Sequence, residues 1–314
     1  MGAPRASGGG GSSRHPSWRR WALLVAALAV IGTGLWLALA SPRSSRPPVV
    51  TPRAGGEHAE SGKRGAGSHH RRANKQRRQR RRHHRGAKAP AGQLALVIDD
   101  LGASVDDVVA LEALGVPLSY SVLPYEAETA AVVARLRAGK REILCHLPME
   151  PANAHDPGPG ALRKTMDLDA LAAATERALA QVPGAVGANN HMGSELTTDR
   201  AAMGTVLDVL QRHHLFFLDS RTSASSVGFA LARSLGLPAA ERDVFLDDSA
   251  DPAAIRAQFA RFLARSRERG AAVAIGHPRP ATLEVLREEL PKAKAEGFTF
   301  VPVSFLLDRG GQPL

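Results

Sequence analysis

From residue 93 onward, short apolar runs alternate with amphipathic segments, and this rhythm constrains the fold more than any other feature of the chain. The runs fall at 94–98, 117–123, 142–146, 185–189, 215–219, 243–247, 271–276 and 298–303. Between them, helical periodicity occupies 104–114, 126–138, 168–181, 199–213, 225–235, 252–269 and 281–290. Thr198-Asp199 and Ser249-Ala250-Asp251-Pro252 read as helix starts, and Gly115, Gly236, Gly270 and Gly297 as helix stops. Apolar runs of this length suit strands buried on both faces. Their regular exchange with helices implies βαβ units and a parallel sheet. Seven or eight such units predict an α/β fold, a distorted (β/α) barrel.

The first 92 residues have another character. They hold 19 Lys+Arg against 2 Asp+Glu, whereas 93–314 hold 22 against 28, so the basic excess belongs to the N-terminal part alone. After a basic segment, 1–20, residues 21–40 (WALLVAALAVIGTGLWLALA) carry no charge. As a helix they would span about 30 Å, the thickness of a bilayer's hydrocarbon core. The expectation is a membrane anchor or, with Ala38-Leu39-Ala40 as a cleavage site, a signal segment, placing the barrel outside the cytoplasm in the periplasm or envelope. Residues 41–92 are rich in Pro, Gly, Ser, Arg and His and predict a disordered linker. Its polybasic run 71–85 suits anionic lipid or wall polymer. A nucleic-acid-associated role through it is the weaker alternative, because the run lacks aromatic residues and a fold. A single cysteine, Cys145, excludes an intramolecular disulfide and a cysteine-based zinc site, and reads as a core residue.

In parallel barrels chemistry collects at the C-terminal ends of the strands. Those ends read Asp99-Asp100, Pro124-Tyr125, His146, Asn189-Asn190-His191, Asp219-Ser220-Arg221, Asp247-Asp248 and Gly276-His277-Pro278. Three of the six histidines beyond residue 92 thus lie at the ends of three different strands. His213 and His214 fall at a helix end and read as structural. Asp247-Asp248, beside Ser249 and Asp251, reads as turn and cap material, and Asp219 suits either a cap or the site. Aspartate with neutral imidazoles is a common ligand set for a divalent cation with open positions. A second carboxylate beside the ion can serve as base, and a histidine across the pocket as acid. Adjacent Asp99 and Asp100 could divide the roles of base and ligand.

The segments IDDLG, EILCHLPMEP, GANNHMGSELT, FLDSRTS, RDVFLDD and IGHPRPATL together resemble the divergent polysaccharide deacetylase family, relatives of the carbohydrate N-deacetylases, over about 93–305. The resemblance implies a distorted (β/α) barrel, export, and metal-dependent removal of acetyl from N-acetylated polysaccharide. It implies one divalent metal, with zinc expected. On this reading Asp99 is the base, Asp100 and His146 are ligands, and His277 is the acid. The related motif has a second histidine four residues after the first, where this chain has Glu150. Either His191 supplies the missing imidazole or Glu150 binds the metal itself. Asp219 and Arg221 correspond to an arginine-containing catalytic motif, and Asn190 and Ser194 are expected substrate contacts. A non-catalytic carbohydrate- or envelope-binding barrel is the alternative.

Overall fold

Leu94 to Ile98 lie on an interior strand of a single all-parallel sheet in the computed structural model, which describes residues 91–307. The segments 1–20, 21–40 and most of 41–92, with the polybasic run, lie outside the described residues. Among the described residues no helix is long and apolar enough to cross a membrane.

The strands are β1 (Gly92–Leu101), β2 (Ser119–Val122), β3 (Glu142–Met149), β4 (Gly187–Met192), β5 (Phe216–Asp219), β6 (Ala239–Glu241), β7 (Val244–Phe245), β8 (Ala271–Gly276) and β9 (Phe298–Phe300). The helices are α1 (Val105–Glu112), α2 (Thr129–Ala138), α3 (Leu168–Gln181), α4 (Arg200–Arg212), α5 (Gly228–Ser234), α6 (Pro252–Arg269), α7 (Pro280–Glu296) and α8 (Val303–Leu307). Strand order is β6-β5-β4-β3-β2-β1-β8-β7, with β9 on the start of β1. The two edge strands, β6 and β7, are consecutive in the chain and joined only by Arg242-Asp243, yet no ladder connects them. The sheet curls into the expected distorted barrel, open along that seam.

Strand alternation sorts the side chains into two layers. Leu94, Leu96 and Ile98 of β1 pack with helix residues such as Val108, Val132 and Leu286. Ala95 and Val97 point the other way, into an interior shared with Leu144, Leu218, Val273 and Ile275. Cys145 is buried in the outer layer, where burial pushes its thiol pKa up. Asp167, Asp199 and Asp251 accept backbone N–H bonds at the starts of α3, α4 and α6, with Pro252 in the first turn of α6.

Two short elements escape the sequence pattern: Ala239–Glu241, too brief and alanine-rich to signal a strand, and Val303–Leu307. Helix α7 also runs beyond the expected stop at 290, passing through Pro291 to Gly297, whose φ of 98° ends it. Burial of Leu290 and Ala293 against the sheet carries the helix past the proline.

Candidate metal centre

The interior layer is apolar along most of each strand and turns polar at the C-terminal ends. Continuing the inward phase of β1, β3, β4 and β8 brings Asp99, His146, Asn189, His191 and His277 to one rim. Asp100 breaks the alternation, since as the neighbour of Asp99 it ought to face the helices. Between Ile98 and Leu101, β1 has one residue more than its partner has between Tyr120 and Val122. The bulge is accommodated by a left-handed Asp100, φ 59°, and turns its carboxylate back toward the rim.

Three ligand atoms meet there, all within 4.8 Å of one another: one from Asp100, one from His146 and one from His191. Asp100 Oδ1 is 2.9 Å from His191 Nδ1 and 3.2 Å from His146 Nε2, and those two nitrogens are 3.2 Å apart. Neither ring N–H is aligned to donate to this oxygen, which is buried without a hydrogen-bond partner. Burial alone would raise the Asp100 carboxyl, but the His146 and His191 imidazoles outweigh it and hold the group far below the usual carboxylate range. Burial likewise opposes charge on His146, yet Asp99, Asp100 and the Asn189 oxygen raise its pKa overall.

The buried amide of Asn189 organises these groups. Its Nδ2 donates to Asp99 Oδ1 at 2.9 Å and to Ser220 Oγ at 3.2 Å. Its Oδ1 accepts from Ser121 Oγ at 2.6 Å and lies 2.9 Å from His146 Nδ1. Because the Asp99 carboxylate can only accept, the amide must present its NH2 to it, which leaves the oxygen for His146. Nδ1 of His146 therefore carries a proton, and in the neutral ring Nε2 keeps a lone pair facing Asp100.

Across the rim, His277 Nε2 is 3.5 Å from Asp100 Oδ2. Its Nδ1 lies 2.9 Å from Asp247 Oδ1, while Asp247 Oδ2 accepts the His277 backbone N–H at 2.8 Å and Thr282 Oγ1 at 2.6 Å. Burial works against charge on both members. It is outweighed, so that the Asp247 pKa is lowered and the His277 pKa raised. Asp247 is thus no turn residue. It is fully buried and fixes His277. Asn189, Asp247, Ser121 and Ser220 are the members of this cluster that motif reading passed over, although their inward strand phase marks the first two.

Other expected site residues lie elsewhere. Asp219 shares the outward phase of Phe217, and its Oδ2 accepts from Ser226 Oγ at 2.7 Å and Phe229 N–H at 3.0 Å, tying down the loop before α5. A Cβ on Gly228 would come within 3.0 Å of that oxygen, so the fit is close. Arg221 folds over its own loop, donating to the Ser226 and Ala224 carbonyls and facing Glu241 at 3.4 Å. Asn190 holds the backbone of Met192 and Ser220. Ser194 accepts from the Ala152 N–H, and Glu150 from the Lys164 N–H, outside the three-ligand cluster.

One carboxylate oxygen without a donor and two converging imidazole nitrogens fit a divalent cation of the zinc type. His146 presents a lone pair and Asn189 fixes its ring, as second-sphere partners of metal-ligating histidines do. The pair of carboxylates and the Asp247-anchored His277 stand beside that position.

The solved structure of uncharacterized protein ATU2773 from Agrobacterium tumefaciens C58 has the same fold. It superposes with a TM-score of 0.64 at 22% identity, covering 70% of this chain and 91% of that one. The uncharacterized protein YibQ of Escherichia coli (strain K12) is 37% identical over 218 residues, 69% of this chain and 68% of its own length. An uncharacterized protein of Haemophilus influenzae (strain ATCC 51907 / DSM 11121 / KW20 / Rd) is 37% identical over 198 residues, 63% of this chain and 71% of that relative. The family model for divergent polysaccharide deacetylases matches residues 96–307, so nearly all of the described chain is accounted for, and the protein belongs to the divergent polysaccharide deacetylase family.

Proposed function

We propose that the protein is a metal-dependent hydrolase of the carbohydrate deacetylase type, removing acetyl from N-acetylated polysaccharide. The observation that carries this reading is the convergence of His146 Nε2 and His191 Nδ1 on Asp100 Oδ1, an oxygen that no donor satisfies among the described residues. These three residues would hold the cation, and its identity would be zinc or a similar borderline ion. When bound, such an ion supplies Lewis-acid polarisation of an amide carbonyl and acidifies water.

The chain's own residues do the rest. Asp99, oriented by the Asn189 amide, is placed to take a proton from the attacking water through Oδ2, the oxygen that Asn189 leaves free. His277 holds its Nδ1 proton against Asp247, so Nε2 is the atom that delivers a proton to the departing amine. The apolar interior beneath the rim excludes water from below and strengthens each of these interactions.

The test is acetate release from N-acetylated oligosaccharides by the purified, metal-loaded chain. Asp99→Asn is expected to abolish release while metal content stays unchanged. Full metal loading without acetate from any such glycan would favour the binding barrel. Loss of metal in Asp99→Asn would make Asp99 a ligand and overturn the division of roles.

A further inference from the structure

Beside β7, at the open edge of the sheet, a groove of about 430 Å³ opens, lined in part by Arg221, Arg242, Phe245, Asp248, Gln258 and Arg261. Two of its charges are already balanced. Arg221 faces Glu241 at 3.4 Å, and Asp243, also in the lining, pairs with Arg269 at 2.9 Å. What is left is Arg242 and Arg261 against Asp248, one guanidinium more than carboxylate.

Arg242 is the unusual member. It is half-buried, donates through Nε to the Ser220 carbonyl at 2.6 Å and through Nη2 to the Arg221 carbonyl at 2.9 Å, and lies over the Phe245 ring at 4.9 Å. Those carbonyls satisfy donors without cancelling charge, and among the described residues no carboxylate comes within ion-pair reach of it. Burial accordingly lowers its pKa, with the more distant Asp219 and Asp99 offsetting this only in part. A guanidinium held away from water without an anion is costly, and a ligand anion would relieve that cost. Arg261, on the exposed face of α6, bonds among the described residues only Gln258 Oε1, at 3.1 Å, which leaves its charge uncancelled there. The groove also adjoins the metal centre, because the Phe245 ring stands edge-on to the His277 imidazole with centroids 5.4 Å apart.

We propose that this groove is a subsite for a carboxylate-bearing sugar next to the N-acetyl sugar, with Arg242 and Arg261 gripping the carboxylate. This deepens the deacetylase reading and rests on it. The single excess positive charge matches one carboxylate, and the planar guanidinium fork suits its geometry. Asp248 and Gln258 would hydrogen-bond sugar hydroxyls, while Asp248 would repel a dianionic phosphate.

The experiment uses the full, metal-loaded chain and two N-acetylated oligosaccharides identical except that one carries a carboxylate and the other has it reduced to the alcohol. The expected result is a preference for the acidic one of about tenfold in kcat/KM and in Kd, falling as salt rises. Arg261→Ala should cut the preference, by lowering kcat/KM for the acidic sugar toward that for the neutral one. If Arg261→Ala keeps it, Arg242→Gln must remove it, and a preference surviving both variants overturns the assignment. Equal hydrolysis of both sugars by the parent removes the acidic subsite and leaves the deacetylase reading standing. Binding preference without any turnover does the reverse, and no binding of either sugar removes both.

Discussion

Replacing Asp247 by Asn tests whether His277 is held by a charged partner or merely packed. The Asp247 carboxylate accepts three donors: the His277 backbone N–H, His277 Nδ1 and Thr282 Oγ1. An amide offers only one oxygen. Placed at Oδ1, that oxygen would set the NH2 against the His277 backbone N–H, donor against donor at 2.8 Å. Placed at Oδ2, it keeps two donors and turns the NH2 toward His277 Nδ1, which must then lose its proton. The second arrangement costs one hydrogen bond to a charged group, about 2 kcal/mol. For a domain of this size that corresponds to about 4–8 °C in Tm. The sign with pH follows from the Asp247 shift. Its folded pKa lies below the ordinary value of 3.8, so its contribution is present above that value and is lost as pH falls through the folded pKa. Denaturant unfolding of parent and Asp247→Asn in metal-free buffer should show the full difference at about pH 6 and a difference that shrinks as pH is lowered below 3.8. Nitrogen shifts of His277 should report the loss of the Nδ1 proton. An Asn variant as stable as the parent at about pH 6, or a difference that does not shrink as pH falls below 3.8, would refute the charged-partner account.

Alanine at Asp100, His146 or His191 should each strongly reduce bound divalent metal, measured by elemental analysis after dialysis, and a triple variant that binds as much as the parent would move the site elsewhere. Asn189→Ala strips Asp99 Oδ1, Ser121 Oγ and His146 Nδ1 of a shared partner, which should weaken metal affinity about 10–100-fold. Calorimetric affinity equal to the parent's would show that the His146 ring is fixed without it.

How far the site was legible depended on strand phase rather than on motif. The fold class followed from the exchange of apolar runs with helices, and strand ends drew attention to Asp99, His146, His191 and His277, which the fold brings to one rim. Read with period two, the same strands separate true neighbours of the rim from false ones. Leu144 and His146 share a face, as do Val273, Ile275 and His277, and Phe245 and Asp247. Asn189 shares the face of His191, while Asn190 points away and clamps backbone. Phe217 and Asp219 share the helix-facing side, so proximity to a strand end gave Asp219 a place that its phase denies. Asp247 was hidden because Ser249 and Asp251 beside it do form cap chemistry, which made the whole cluster look like a turn.

Asp100 is the opposite case, a residue that strand phase would have sent to the wrong layer. Adjacent side chains on a regular strand face opposite ways, so IDD should have delivered one carboxylate to the rim and the other to the helices. It delivers both because β1 carries an extra residue against β2 and Asp100 takes a left-handed conformation. That irregularity is a property of pairing with Tyr120–Val122, some 20 residues away, and no window around Asp100 contains it. A non-glycine residue there stores backbone strain of about 1–3 kcal/mol. Glycine would relieve the strain but remove the oxygen that faces His146 and His191. Keeping aspartate at a position whose backbone favours glycine is explained by what its side chain does at the rim.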